Sequence, residues 1–303
     1  MIIIGTRGSA LALAQTELVK KQILGHYPHT EIEVKIIKTS ADKDLTSSIR
    51  AGSSVGVFVK ELEQALLNNQ IDIAVHSMKD VPTKIPEALQ IAAIPEREDA
   101  RDALITNHGI SLAELPSGAL VGTGSVRRQA QILALRPDLR VKDIRGNIDT
   151  RLNKLREGIY DAIILACAGL NRLGYQNRIS VPLDFGQMLP APGQGAIAIE
   201  TRSDDPRIPP IAAALNHIPT AIAVSAERSF LRRMGGGCNV PVAVHARLKE
   251  ASIEIEGLAA SPDGKSIIRE SIRQKVEVAD EAAISLADRI LSQGGRAILK
   301  EIM

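Results

Sequence analysis

Cys238 stands in the run Met234-Gly-Gly-Gly-Cys-Asn-Val-Pro241. Three glycines place a thiol where side chains give it almost no cover, and glycine lets another group approach the backbone closely. A covalently attached group is one use for such a thiol. A turn with an incidental cysteine is the other, because a lone cysteine points weakly. Arginines form the second pattern. Arg7 follows an apolar run, Arg127 and Arg128 open a helical segment, Arg145 and Arg151 flank Gly146-Asn147, and Arg172 ends the segment 168–173. Helix N-termini attract anions, and an arginine fork adds bidentate grip on carboxylate or phosphate. Arg127 and Arg128 oppose the dipole of their own helix, so an anion is expected to compensate them. Asp80, in His76-Ser77-Met78-Lys79-Asp80-Val81-Pro82, is a single carboxylate among these cations. It could stabilise a cation forming on a substrate or move a proton, or simply pair with Lys79 or an arginine. His76 reads as structural. No P-loop, G-x-S-x-G or H-E-x-x-H pattern and no metal-ligand spacing occurs.

The elements that must position these residues alternate. Strands are predicted over 2–5, 31–37, 71–75, 89–94, 103–106, 120–122, 141–144 and 162–166. Helices are predicted after Ser9 (apolar face Leu11, Leu18, Ile23 and their neighbours), over 57–68, after Ser125 over 126–135, and over 148–157. The alternation predicts parallel βαβ units. Gly5-Thr6-Arg7-Gly8-Ser9 and Gly122-Thr123-Gly124-Ser125 echo each other, so two similar α/β domains are expected, with ligand in the cleft between them. Residues 38–56 lack any period and read as a mobile lid. The remainder differs: a helix over 220–234, antiparallel strands over 242–248, 253–260 and 267–276, the turn Ser261-Pro-Asp-Gly264, and a last helix capped by Asp280 and running to Leu291. This is a small α+β domain with a three-stranded antiparallel sheet. Cys167 is expected to be a buried core residue at a strand end.

Composition narrows the function. The chain has 303 residues, 45% hydrophobic and 24% charged, with aromatics at 2% and a net charge of +2. So small a charge excludes a global polyanion-binding surface, and so few aromatics exclude base-stacking platforms, so nucleic acid is not an expected partner. No apolar run approaches the ~20 residues of a membrane span. Met1 leads straight into Ile2-Ile3-Ile4 with no export signal, and two cysteines make no disulfide framework. A reducing cytoplasm is the expected location.

Taken in order, seven segments resemble the porphobilinogen deaminase (hydroxymethylbilane synthase) family over nearly the whole chain. They are Arg7-Gly-Ser9 with Leu11-Ala12 and Gln15; Phe58-Val-Lys-Glu-Leu62; Asp72-Ile-Ala-Val-His-Ser-Met-Lys-Asp-Val-Pro82; Gly122-Thr-Gly-Ser-Val-Arg-Arg-Gln129; Arg145-Gly-Asn147; Leu189-Pro-Ala-Pro-Gly-Gln-Gly195; and Gly235-Gly-Gly-Cys238. The resemblance implies two periplasmic-binding-protein-like domains, 1–96 with 196–214 and 97–195, and a third, 218–303, that presents the cysteine. It implies a dipyrromethane cofactor held by a thioether at Cys238. Four porphobilinogen molecules are then added, each losing ammonia to give an electrophilic azafulvene, and water releases a linear tetrapyrrole for porphyrin and heme biosynthesis. By the same resemblance Asp80 is catalytic. Ser77, Lys79, Asp80, Ser125, Arg127, Arg128, Arg145 and Gly146 hold the cofactor. Arg7, Ser9, Phe58, Arg145, Arg151, Arg172 and Gln194 hold the substrate. No metal is implied, and a monomer is expected.

One departure concerns the lid. The family has Gly-Gly-Lys-Gly before its phenylalanine; here the run is Gly52-Ser-Ser-Val-Gly56, with Val55 at the lysine position. A cationic contact would be missing unless Arg50 or Lys60 substitutes, so weaker retention of intermediates is expected. Val55→Lys should slow their loss, and unchanged dissociation would sink the idea. Two other function classes fit parts of the chain. A non-catalytic anion-binding protein suits two lobes with a cleft but leaves Cys238 unused. A cysteine acyltransferase needs a histidine base near the thiol, and His245, the nearest in sequence, has no reason within its strand to face Cys238.

Overall fold

The structure, a computed structural model, describes residues 1–37, 59–235 and 240–300. The predicted lid with Val55, together with Phe58 and Cys238, therefore lies outside the described residues. In chain order, β1 (Ile2–Thr6), α1 (Ala10–His26), β2 (Ile32–Ile36), α2 (Lys60–Leu67), β3 (Ile73–Ser77) and β4 (Leu89–Ala93) come first. Next are β5 (Asp102–Thr106), β6 (Leu120–Gly122), α3 (Val126–Leu135), β7 (Arg140–Lys142), α4 (Ile148–Arg156), β8 (Ala162–Ala166), α5 (Cys167–Arg172) and β9 (Val181–Leu183). The rest are β10 (Ile197–Arg202), α6 (Ile208–Ala213), α7 (Ile218–Met234), β11 (Val242–Lys249), β12 (Ser252–Ala260), β13 (Ile267–Lys275), α8 (Ala279–Ile290) and α9 (Arg296–Lys300).

The chain divides into two compact units, 1–98 with 195–221 and 99–194 with 222–303. Unit 1 holds a five-stranded sheet ordered β2-β1-β3-β10-β4. Unit 2 holds a second five-stranded sheet, ordered β7-β6-β8-β5-β9, and the three-stranded sheet β11-β12-β13. The central strand β8 is a continuous apolar run, and β3 is one up to His76, because helices and neighbours cover both faces. The expectation of parallel units holds only for part of each sheet. β1 runs parallel to β2 and β3, but β10 runs antiparallel to β3. Likewise β6 runs parallel to β7 and β8, but β5 runs antiparallel to β8. Strand direction depends on how distant segments pair, and hydrophobic period does not encode it.

Three local expectations are corrected. In α1 the buried stripe is Ala12, Gln15, Thr16, Val19 and Ile23, while Leu18 stays 38% exposed. Apolar residues surround this helix, so composition alone could not choose the face. Asp280 does not cap α8: the cap is Val278, and both Asp280 oxygens accept from Ser225 Oγ at 3.0 Å. Cys167 is buried as expected, but as the first residue of α5 rather than a strand end.

The three-stranded sheet packs on α7 and α8 around Phe230, which is fully buried. Its Ser261–Gly264 turn abuts α3. Gly264 has φ +73, and a Cβ there would lie 2.5 Å from the Ala130 carbonyl, so only glycine allows this approach. Gln129 Nε2 donates to the Pro262 carbonyl at 3.2 Å. Glu227, fully buried on α7, accepts from Gly193 N at 2.7 Å and Ala246 N at 2.9 Å. One carboxylate thus ties the Leu189–Gly195 motif segment, α7 and β11 together. Among the described residues no helix is long and apolar enough to cross a membrane.

Candidate functional site

In each five-stranded sheet the parallel strands end at one edge, and the chemistry-bearing residues gather there. In unit 1, β1 and β3 are neighbours with Ile4 opposite Ile73, so Arg7 and Ser77 leave the sheet side by side. Ser9 caps α1, its Oγ accepting from Ala12 N at 3.3 Å. Gln15, buried on α1, donates to Ser77 Oγ at 2.9 Å and locks that helix to the end of β3. Beyond Ser77 the chain turns through a single 3₁₀ turn, Met78–Asp80, held by Met78 N donating to the Ala196 carbonyl at 3.0 Å. This turn carries Lys79 and Asp80. Asp80 is half-buried and makes no ion pair among the described residues, so pairing with Lys79 or an arginine is not its role within this unit.

His76 resolves as structural: its Nε2 lies 2.9 Å from Glu200 Oε2, both side chains almost wholly buried across β3 and β10. Glu63 on α2 faces the same pair. Burial, then the charge of Glu200, raises its carboxyl above the usual range.

In unit 2 the same edge collects the arginines. Ser125 caps α3, accepting from Arg128 N at 3.5 Å. Asn147 caps α4, accepting from Thr150 N at 2.9 Å. Between them Gly146 has φ +108, and a Cβ there would meet the Thr150 side chain at 2.6 Å. Its carbonyl accepts from Arg151 Nε at 2.8 Å. Arg145 is exposed and pairs with Asp143 at 2.8 Å. Arg172 is partly buried at the end of α5.

The anion expected beside Arg127 and Arg128 is supplied by the chain itself, and sequence reading missed it. Asp102, the first residue of β5, is fully buried. Its Oδ2 accepts from Arg127 Nη1 at 2.8 Å; its Oδ1 accepts from Arg128 Nε at 3.0 Å and Nη2 at 2.7 Å. Burial alone would raise this carboxyl, but the two guanidinium charges and their hydrogen bonds outweigh it and hold it well below the usual carboxylate range. Gln194, also buried, donates to Asp102 Oδ1 at 2.9 Å and to the Ala100 carbonyl at 2.8 Å. The only signal in the sequence was the acidic and basic crowding of Arg97-Glu-Asp-Ala-Arg-Asp102.

One carboxylate cannot neutralise two guanidiniums, and a third is near. Burial lowers the Arg151 pKa first, and the positive charge of Arg128 lowers it further. Among the described residues no carboxylate lies within ion-pair distance of Arg151. Buried charge of one sign in excess calls for a counter-charge from outside. The donor set therefore fits a ligand with several carboxylates. Cys167 offers no second reactive thiol here, because burial pushes it up to about 12.

The fold and the site thus define an α/β protein whose sheet edges carry clustered arginines and one half-buried aspartate. The comparisons with known proteins are more specific. The model described as "Porphobilinogen deaminase, dipyromethane cofactor binding domain" matches residues 2–209, and "Porphobilinogen deaminase, C-terminal domain" matches residues 221–292. Porphobilinogen deaminase of Thermus thermophilus is 50% identical over 303 residues, covering 100% of this chain and 99% of that one. Its counterpart in Syntrophobacter fumaroxidans is 47% identical over 302 residues, covering 100% and 98%. That in Geobacter sulfurreducens is 48% identical over 299 residues, covering 99% and 94%. The chain belongs to the porphobilinogen deaminase family.

Solved structures also overlap it at a distance. A nutrient-binding protein from Burkholderia cenocepacia has TM-score 0.44 and 12% identity, covering 71% of this chain and 91% of that one. The BvgS VFT2 domain of Bordetella pertussis has TM-score 0.42 and 16% identity, covering 75% and 91%.

Proposed function

We propose that this protein is a transferase that deaminates porphobilinogen and joins four molecules head to tail on a dipyrromethane primer, then releases hydroxymethylbilane by hydrolysis. The observation that carries the reading is the excess positive charge around Arg127, Arg128 and Arg151, inside the span that matches the cofactor-binding domain. Porphobilinogen and the primer carry acetate and propionate arms and little else to grip, so local guanidinium forks matter more than net charge.

Cys238 holds the primer by a thioether, a bond that survives turnover where a thioester would hydrolyse. When bound, the dipyrromethane supplies the free pyrrole α-carbon from which the chain grows. Arg127, Arg128, Arg145, Arg151, Arg172 and Arg7 bind the carboxylate arms. Ser77, Lys79, Ser125 and the Gly146 backbone add contacts, and Ser9 and Phe58 complete the substrate site. Each addition breaks the aminomethyl C–N bond of porphobilinogen, releases ammonia and forms a C–C bond. The pyrrole nitrogen gains positive charge as ammonia leaves. Asp80, with no competing ion pair in its own unit, faces that charge and takes part in the proton transfers. The three-domain division 1–96 with 196–214, 97–195 and 218–303, a monomeric state and a cytoplasmic location belong to this same reading.

The test is the intact mass of denatured protein. Native protein should carry an adduct of two linked pyrrole units, absent in Cys238→Ala, and should make an open tetrapyrrole from porphobilinogen. Active protein with bare Cys238 overturns the reading.

A further inference from the structure

Asp102 reaches the arginines only because β5 runs antiparallel to β8. Its register sets Asp102 opposite Ala166, the last residue of β8, so the start of one strand lies where the parallel strands finish. Neither Asp102 oxygen faces solvent, and both are occupied by donors. It cannot touch a substrate. What it does is select which guanidinium N–H groups remain. Arg127 Nη1 is spent on Asp102 and on the Leu189 carbonyl at 2.6 Å. Arg128 spends Nε and one N–H of Nη2 on Asp102 and one N–H of Nη1 on the Ile164 carbonyl at 3.0 Å. Left over among the described residues are Nε and Nη2 of Arg127 and one N–H on each terminal nitrogen of Arg128. The arrangement fixes two planar forks and leaves them one positive charge in excess.

We infer that Asp102 is a positioning residue, with Gln194 as its brace: it orients the Arg127 and Arg128 forks and sets the charge surplus with which they receive ligand carboxylates. The inference rests on the proposed carboxylate-binding role of those arginines and assigns Gln194 to Asp102 rather than to substrate. Asparagine at 102 would keep the volume and one acceptor, but its amide N–H groups would face Arg127 Nη1 and turn that fork away.

The experiment compares native protein with Asp102→Asn for adduct content by intact mass, for KM and kcat with porphobilinogen, and for thermal stability. Orientation loss should raise KM about 30-fold while kcat of the adduct-bearing fraction stays within about threefold, and should lower the adduct-bearing fraction. A variant that melts earlier yet keeps native KM and adduct content has only a structural aspartate there, and the inference is wrong. Should Asp102→Asn fail to fold, Gln194→Met carries the test: a KM rise of about fivefold supports the brace, and an unchanged KM overturns it. Calorimetric binding of porphobilinogen to adduct-free Cys238→Ala protein, with and without Asp102→Asn, separates the two readings. Weaker binding with Asp102→Asn supports positioning even if native protein proves to carry no adduct; equal binding overturns positioning even if it carries one.

Discussion

At the edge of the first five-stranded sheet the ionisable carboxylate is Asp80, half-buried and without an ion pair among the described residues. At the same edge of the second it is Asp102, sealed beneath two arginines and a glutamine. Both sheets follow one plan, three parallel strands and then an antiparallel fourth whose first residue meets the last residue of the third. In unit 2 that slot is Asp102 opposite Ala166; in unit 1 it is Ile197 opposite Ser77. An apolar slot has no charge to offer neighbouring cations and leaves Asp80, on the turn beyond, uncommitted. A carboxylate slot holds Arg127 and Arg128 in place. On the proposed function, the same topology serves proton and charge chemistry in one unit and carboxylate holding in the other.

Four substitutions test this contrast. Asp80→Asn should lower turnover by about 1,000-fold while leaving the melting temperature unchanged; near-normal turnover would remove Asp80 from its role. Ile197→Asp would place the unit 2 carboxylate into unit 1, where no arginine pair among the described residues is set to receive it. Denaturant unfolding should then show a loss of about 3 kcal/mol, and a neutral result would mean the slot is not as closed as its 2% exposure implies. Asp102→Asn should cost about 2 kcal/mol at neutral pH, with a defined pH signature. The folded carboxyl sits below its unfolded value of ~3.9, so its contribution is complete above that range and is lost as pH falls through the folded value. The stability gap between native and Asp102→Asn proteins should be flat above about pH 5 and close below about pH 4. A gap that instead widened on acidification would contradict the paired, ionised state. Smallest is Arg145→Ala, whose pair with Asp143 is exposed on both sides; stability should change by less than ~0.5 kcal/mol, so any KM effect reports ligand contact alone.

Several features were legible in the residues alone. Glycine and serine at strand-to-helix junctions marked the caps at Ser9 and Ser125, and Ser261-Pro-Asp-Gly264 marked its turn, because these depend on neighbours a few residues away. Arginines recurring at such junctions pointed to anions. The ordered motifs pointed to a family that the comparisons establish. Asp280 misled because an acidic residue in a first helical turn looks like a cap, whereas its partner Ser225 lies 55 positions away.

Sequence by itself determined the alternation of elements, the aliphatic core and the family, since all three are carried by local pattern and residue identity. Only the tertiary structure decided that β5 and β10 run against their neighbours, that Glu200 closes on His76, that Glu227 ties α7 to β11, and that Asp102 lies under Arg127 and Arg128. Each of those joins partners 19 or more positions apart. No period, cap or turn encodes such pairs; they arise when buried charges must find each other as the sheets close.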